Sequence, residues 1–169
     1  METLRDGSQV TIRPVTSADV ELERRFIEGL SPEARRYRFL YTIATPSEEL
    51  LRKLTNVDPE NEAAYIAVVP DGLHEREVGA ARFSRTPDGQ AEVTVTVDEA
   101  WQGRGLATLL VHTLIAEARR RGIRALYSID SGSNEGMRAL AAHQGFTRKV
   151  DPDDATQVIY TLPLDTPAT

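Results

Sequence analysis

The stretch from Ala91 to Arg121 constrains the fold more than any other part of the sequence. Ala91–Asp98 alternates strictly, with Val93, Val95 and Val97 on one side and Glu92, Thr94, Thr96 and Asp98 on the other. That is the period-two pattern of a strand. After Gln102-Gly103-Arg104-Gly105-Leu106-Ala107 the period changes. Leu106, Leu109, Leu110, Leu114 and Ala118 form an apolar stripe at helical spacing from Gly105 to Arg121. Arg119, Arg120 and Arg121 suit the negative end of the helix dipole, and Gly122 can terminate it. A strand at Ala125–Ile129 follows. Strand, helix, strand over this length requires a crossover, and so one parallel pair.

The remaining elements set that pair in an antiparallel context. Val10–Val15 reads as a strand and Ala63–Val69, Glu77–Ser84 and Ala91–Asp98 as three more. Pro70-Asp71-Gly72 and Pro87-Asp88-Gly89 are turn sequences that join the last three into a meander. Ser17 is placed to cap a helix through Leu30, with Leu22, Phe26 and Leu30 four apart. A second helical stretch covers Glu33–Leu40. A third starts at Thr45-Pro46-Ser47-Glu48, a capping box with proline at the first helical position, and runs to Thr55. Asn134–His143 reads as a helix stopped by Gly145, and Phe146–Val150 and Thr156–Leu162 as two final strands. The expectation is a mixed, mostly antiparallel sheet with helices on both faces. It forms one α/β domain over residues 1–164, with 165–169 as a tail.

Composition removes several functions. The chain of 169 residues has no cysteine, which excludes disulfides, thiolate metal sites and cysteine nucleophiles. His74, His112 and His143 are far apart, without metal-ligand spacing, so no metal is expected. A net charge of −6 disfavours sequence-independent nucleic-acid binding and suits a cationic partner. No apolar run is long enough to span a membrane, and the start lacks a secretory h-region, so the expected location is the cytoplasm. Of the 20 basic residues only Lys53 and Lys149 are lysine.

The glycine turn carries the chemistry. Gly103 and Gly105 allow a tight turn and close approach of a ligand to the backbone. The first turn of the following helix offers unpaired N–H groups at a positive dipole end, which together make a site for phosphate or pyrophosphate. Arg104 is expected to add a charge-assisted contact. There is no Gly-Lys pair, so the turn is not a P-loop. Thr108 stands where a dinucleotide fingerprint needs its third small residue.

Gln102-x-x-Gly105-x-Ala107 resembles the acetyl-CoA signature of the GNAT acetyltransferase superfamily, Arg/Gln-x-x-Gly-x-Gly/Ala, in its strand–loop–helix context. Asn134-x-x-Met137-x-x-Leu140, followed by Gly145-Phe146, resembles that family's next helix. Leu4-Arg5-Asp6-Gly7, Ile12-Arg13-Pro14, Gly29-Leu30-Ser31-Pro32-Glu33 and Arg36-Tyr37-Arg38-Phe39 are similar to the acetyltransferase domain of bacterial Pat-type protein lysine acetyltransferases. Those domains are often fused to a sensing or synthetase-like domain, which a single domain of this length is expected to lack.

The resemblance implies an acetyl-CoA-dependent N-acetyltransferase in which an amine attacks the thioester directly. Gly103, Arg104, Gly105, Ala107 and Thr108 would surround the pyrophosphate, and Gln102, the first residue of the signature, belongs to the same coenzyme-binding set. The amides of Val95 and Val97 would pair with the pantetheine arm, and Asn134 would hydrogen-bond the coenzyme. An alkyl ammonium, with a pKa of about 10.4, must lose a proton before it attacks. Glu92, where the Pat-like domains carry a glutamate, is the expected base, with Asp98 and Asp130 as runners-up. Many family members place a tyrosine acid seven residues after the asparagine. Here that position is Ala141, with Tyr127 or His143 as substitutes. A thiol with a pKa of about 8.5 leaves without protonation readily enough to spare such an acid. Arg35, Arg36, Tyr37, Arg38 and Phe39 fall where the family builds its acceptor wall. A small-molecule amine acetyltransferase and a non-catalytic acyl-CoA sensor stay open as alternatives to a protein-lysine enzyme, and a homodimer through the last strands is a further expectation.

Overall fold

The computed structural model describes residues 1–34 and 46–164. An eight-stranded sheet runs through it in the order β1-β2-β3-β4-β5-β6-β8-β7. The strands are β1 (Glu2–Thr3), β2 (Gln9–Pro14), β3 (Glu62–Asp71), β4 (His74–Arg85), β5 (Gln90–Val97), β6 (Ala125–Ser131), β7 (Thr147–Asp151) and β8 (Asp154–Pro163). Every neighbouring pair is antiparallel except β5–β6, the parallel pair that the strand–helix–strand pattern requires. Gly72 at φ 63° and Gly89 at φ 86° close the two meander hairpins, in a backbone region open to glycine at little cost.

Among the described residues four longer helices flank the sheet: α1 (Val20–Gly29), α2 (Glu48–Thr55), α3 (Leu106–Arg120) and α4 (Glu135–His143). Two caps differ from expectation. Thr16, not Ser17, closes a capping box with Asp19 and begins a short 3-10 turn, Ser17–Asp19, that leads into α1. Asp19 wins this position because its carboxylate also takes both N–H groups of the Arg13 fork, at 2.9 Å each. Ser47, not Thr45, caps α2, accepting from Leu50 N at 3.0 Å. Residues 32–34 are helical; the rest of the stretch expected over Glu33–Leu40, and the tail from Asp165, lie outside the described residues. The two-residue β1 and a 3-10 turn at Glu99–Trp101 were not expected, because neither is long enough to show a period.

The apolar stripe of α3 is buried as its spacing predicts. Leu106, Leu110, Leu114 and Ala118 pack with Ala81, Phe83, Ala91 and Val93 of the sheet in one cluster. The opposite face is covered by α1 and α2, joined through Ile27, Leu51 and Leu54. The Glu92–Thr94–Thr96 side of β5 is therefore only partly a solvent face. Thr96 is buried, as are Glu77 on β4 and Glu23 on α1. Arg82, in the same layer, donates to the Leu54 carbonyl and lies 3.6 Å from Glu62. Alternation located the polar side of the strand correctly, but a second helical layer roofs it.

Candidate active site

The site begins where the parallel pair ends. β5 and β6 are in register only from Gln90↔Ala125 to Glu92↔Tyr127. Beyond that point β5 stays with β4 to Val97↔Gly79, and β6 stays with β8 to Ser131↔Gln157. The sheet thus opens into a wedge. Asp98 N donates to Val78 O at 2.9 Å, and from that bonded pair the alternation of an antiparallel ladder follows. Thr96 and Thr94 turn their N–H and C=O groups toward β4. Val93, Val95 and Val97 turn theirs away from it, Val93 toward β6 at the end of the parallel pairing and Val95 and Val97 into the wedge. Gln102 Nε2 donates to Val97 O across this opening at 3.3 Å. The cleft that results has a volume of about 1030 Å³.

The loop from Gln102 to Gly105 forms one rim. Gly103 at φ 76° and Gly105 at φ 90° hold it in a conformation that side-chain-bearing residues adopt only under strain. Gly105 is the N-cap of α3 and supplies no side-chain cap, so the first-turn amides of Leu106, Ala107 and Thr108 face the cleft without a side-chain acceptor. An anion is what such a helix end accepts. The open amides of β5 beside it suit an extended amide-bearing arm, so the residues present fit acetyl-CoA. Arg104 lines the cleft but is engaged. It donates to Ala100 O at 3.0 Å, pairs with Asp6 at 3.4 Å, and lies 4.4 Å from the Trp101 ring centroid.

Glu92 is exposed and lines the cleft at the point of divergence. Tyr127 stands beside it on β6; burial and then the Glu92 charge raise the phenol above its ordinary range. Asp130, further along β6, also lines the cleft. Its carboxyl is raised by burial, an effect partly offset by the hydroxyl of Ser128 and reinforced by Glu92. Asp98 instead caps the Glu99–Trp101 turn, accepting from Ala100 N at 2.9 Å, which leaves it a structural task. Asn134 lines the cleft and caps α4 through Met137 N at 3.1 Å. Ala141 is buried against Val158 and Tyr160, away from the cleft, whereas His143 lines it.

The wedge thus gathers Glu92, Val95, Val97, the glycine loop and Asn134. The sequence motifs include Arg5 and Met137 without assigning them a site role and do not single out Trp101, yet all three line the cleft. Arg5 reaches the loop across 98 residues, and no local pattern signals so distant a contact. Arg35–Phe39 lie outside the described residues. Among the described residues no cluster of histidine, aspartate and glutamate could hold a metal ion, and no helix is long and apolar enough to cross a membrane.

A sheet that splays beside a glycine loop and a bare helix N-terminus matches a known family. The model of the acetyltransferase (GNAT) family covers residues 28–146, and the chain belongs to that family. It is an N-acetyltransferase of the class that uses acetyl-CoA as acyl donor and amines as acceptors. Among its relatives, an acetyltransferase of Pseudomonas aeruginosa is 44% identical over 165 residues, 97% of this chain and 89% of that one. The acetyltransferase Pat of Mycolicibacterium smegmatis is 29% identical over 84% of this chain but 42% of its own length. Among solved structures, the GNAT domain of S. lividans PAT superposes with a TM-score of 0.88 at 27% identity, covering 96% of this chain and 95% of that domain. A cAMP-binding acyltransferase from Mycobacterium smegmatis gives 0.65 at 25% identity; this chain spans 47% of it.

Proposed function

We propose that the enzyme transfers the acetyl group of acetyl-CoA to a primary amine of a protein lysine, by direct attack in a ternary complex with Glu92 as general base. The observation that carries this reading is the position of Glu92. It is the last residue of β5 paired to β6, and so stands at the apex of the wedge, a few residues before the open amides of Val95 and Val97. Glu92 accepts the proton of the incoming ammonium, directly or through one water. The N–H of Val95 or Val97 donates to the oxygen on which charge develops, and the first-turn amides of α3 hold the diphosphate. Gln102 acts through Val97, fixing the end of β5. Asn134 stabilises α4 and presents its amide to the cleft. The acceptor is cationic before it reacts, and Glu33, Glu92, Glu99, Asp130 and Glu135 all line the cleft, which supports this acceptor class. The likeness of the N-terminal half to Pat-type domains supports a protein lysine in particular.

Calorimetric titration of acetyl-CoA into the purified enzyme, followed by a panel of amine acceptors, tests the reading. Binding of the full coenzyme and turnover of lysine peptides are expected. Turnover of free metabolite amines alone would sink the protein-lysine acceptor. Absence of binding at millimolar coenzyme would sink the donor assignment as well.

A further inference from the structure

Two arginines meet at the glycine loop, and only one is expected from the loop's own sequence. Arg104 has its charge shared with Asp6, its guanidinium bonded to Ala100 O, and its flat face on Trp101. Arg5 is differently placed. It extends from the turn between β1 and β2, is exposed, and lines the cleft. Among the described residues no carboxylate lies within ion-pair distance of it. Its Nη2 donates to Gly103 O at 3.2 Å, and its backbone N to Arg104 O at 3.3 Å. A Cβ added to Gly105 would sit 3.3 Å from Arg5 Nε, which places the guanidinium directly against the N-cap of α3. Leu4, next to it, is buried in the same cluster as Leu106 and fixes the turn on the helix.

We propose that Arg5 is the cation that meets the coenzyme diphosphate, and that the β1–β2 turn is the second wall of the phosphate site. This rests on the acetyl-CoA reading above. Only one of the five guanidinium N–H groups is committed to Gly103 O, so the fork keeps donors for a phosphate oxygen. The two contacts also hold the Gly103 and Arg104 carbonyls toward Arg5. Each planar trans peptide then turns the following N–H, of Arg104 and of Gly105, away from Arg5, so the amides that share a phosphate with Arg5 are those of the first turn of α3. The turn therefore presets the loop as well as charging it. The Asp6–Arg104 pair fastens the same turn from the other direction, and Ser8 supports Asp6 through its hydroxyl and backbone N–H.

Titration of acetyl-CoA at two ionic strengths into wild type, Arg5→Gln and Arg5→Lys tests the proposal. Amide chemical shifts with pantetheine, which carries no phosphate, serve as the control. Arg5→Gln is expected to weaken acetyl-CoA about tenfold or more and to flatten the salt dependence, with pantetheine binding unchanged. Arg5→Lys is expected to retain the salt dependence and recover part of the affinity. Wild-type affinity in Arg5→Gln would overturn the proposal while leaving the donor assignment standing. So would an equal loss for pantetheine, which marks a merely structural role. A wild-type enzyme that binds no acetyl-CoA would overturn both.

Discussion

Glu92 and Gly105 decide the chemistry for different reasons. Glu92 matters through its side chain, at the apex of a wedge that only the strand register reveals. Glu92→Gln keeps the shape and removes the base. The expected result is a fall in kcat of roughly 10²- to 10⁴-fold with the acetyl-CoA dissociation constant unchanged. Turnover equal to wild type with a verified acceptor would reassign the base, with Asp130 next in place. Gly105 matters through its backbone. At φ 90° any side chain costs about 1–2 kcal/mol, and here it also presses on Arg5. Gly105→Ala is expected to lower Tm by a few degrees and weaken coenzyme binding together; a variant that binds normally would show that the loop tolerates another conformation. Gly103, Gly105 and Asn134 were legible as candidates in the sequence because glycine turns and helix caps are local patterns, and Ala107 only through its place in the family motif. Arg5 and the restraint on Arg104 were not, because both depend on a turn nearly a hundred residues away. Gln102 was legible as a motif residue, but its bond to Val97 O emerges only from the folded loop.

Between α1 and the sheet the structure contains a layer whose polarity strand alternation foreshadowed and whose burial it did not. The alternation of Glu92, Thr94 and Thr96 described a polar side; the helix that covers it comes from a segment about 70 residues earlier. Within that layer Glu77 is 2% exposed. The Glu23 carboxyl faces it without closing a hydrogen bond of normal geometry. Burial first, and then the proximity of Glu23, push the Glu77 carboxyl well above its ordinary range. The folded state therefore holds a proton that the unfolded chain releases at lower pH. Its contribution is full below the unfolded carboxylate range and is lost as pH rises toward the raised value, at about 1.4 kcal/mol per pH unit. Glu77→Gln is expected to flatten this slope and to stabilise the enzyme at pH 8 relative to wild type, with little difference near pH 4. Thermal melts across that range check it, and parallel curves for the two proteins would show that Glu77 is charged in the fold. Asp19 runs the other way. Its Arg13 fork, then the Thr16 amide, hold the carboxyl below its usual range. Asp19→Asn is expected to cost about 1–3 kcal/mol at neutral pH, with the difference closing as pH falls through the acid range.

The whole molecule is a sheet held together at its centre by only three parallel pairs, and the missing ladder is where the donor is expected to lie. The order of strands and helices was legible because hairpin turns and a crossover leave few topologies open. The point at which β5 and β6 part was not, because divergence is a property of two strands and no residue type signals it. It has a directly measurable consequence. The amides of Thr94 and Thr96 point to β4 and are bonded within the ladder; those of Val95 and Val97 point into the wedge. In the free enzyme, hydrogen exchange should be slow at Thr94 and Thr96 and fast at Val95 and Val97, although all four lie on one central strand. Saturating acetyl-CoA should slow exchange at Val95 and Val97 by at least tenfold if an extended arm pairs with them as an added strand would, and leave Thr94 and Thr96 nearly unchanged. At a coenzyme concentration of 100 times the dissociation constant the fold gains about 2.7 kcal/mol, so the same samples should melt several degrees higher. A higher melting temperature without new protection at Val95 and Val97 would mean that the donor is held by the glycine loop alone and that β5 forms only the wall of the cleft.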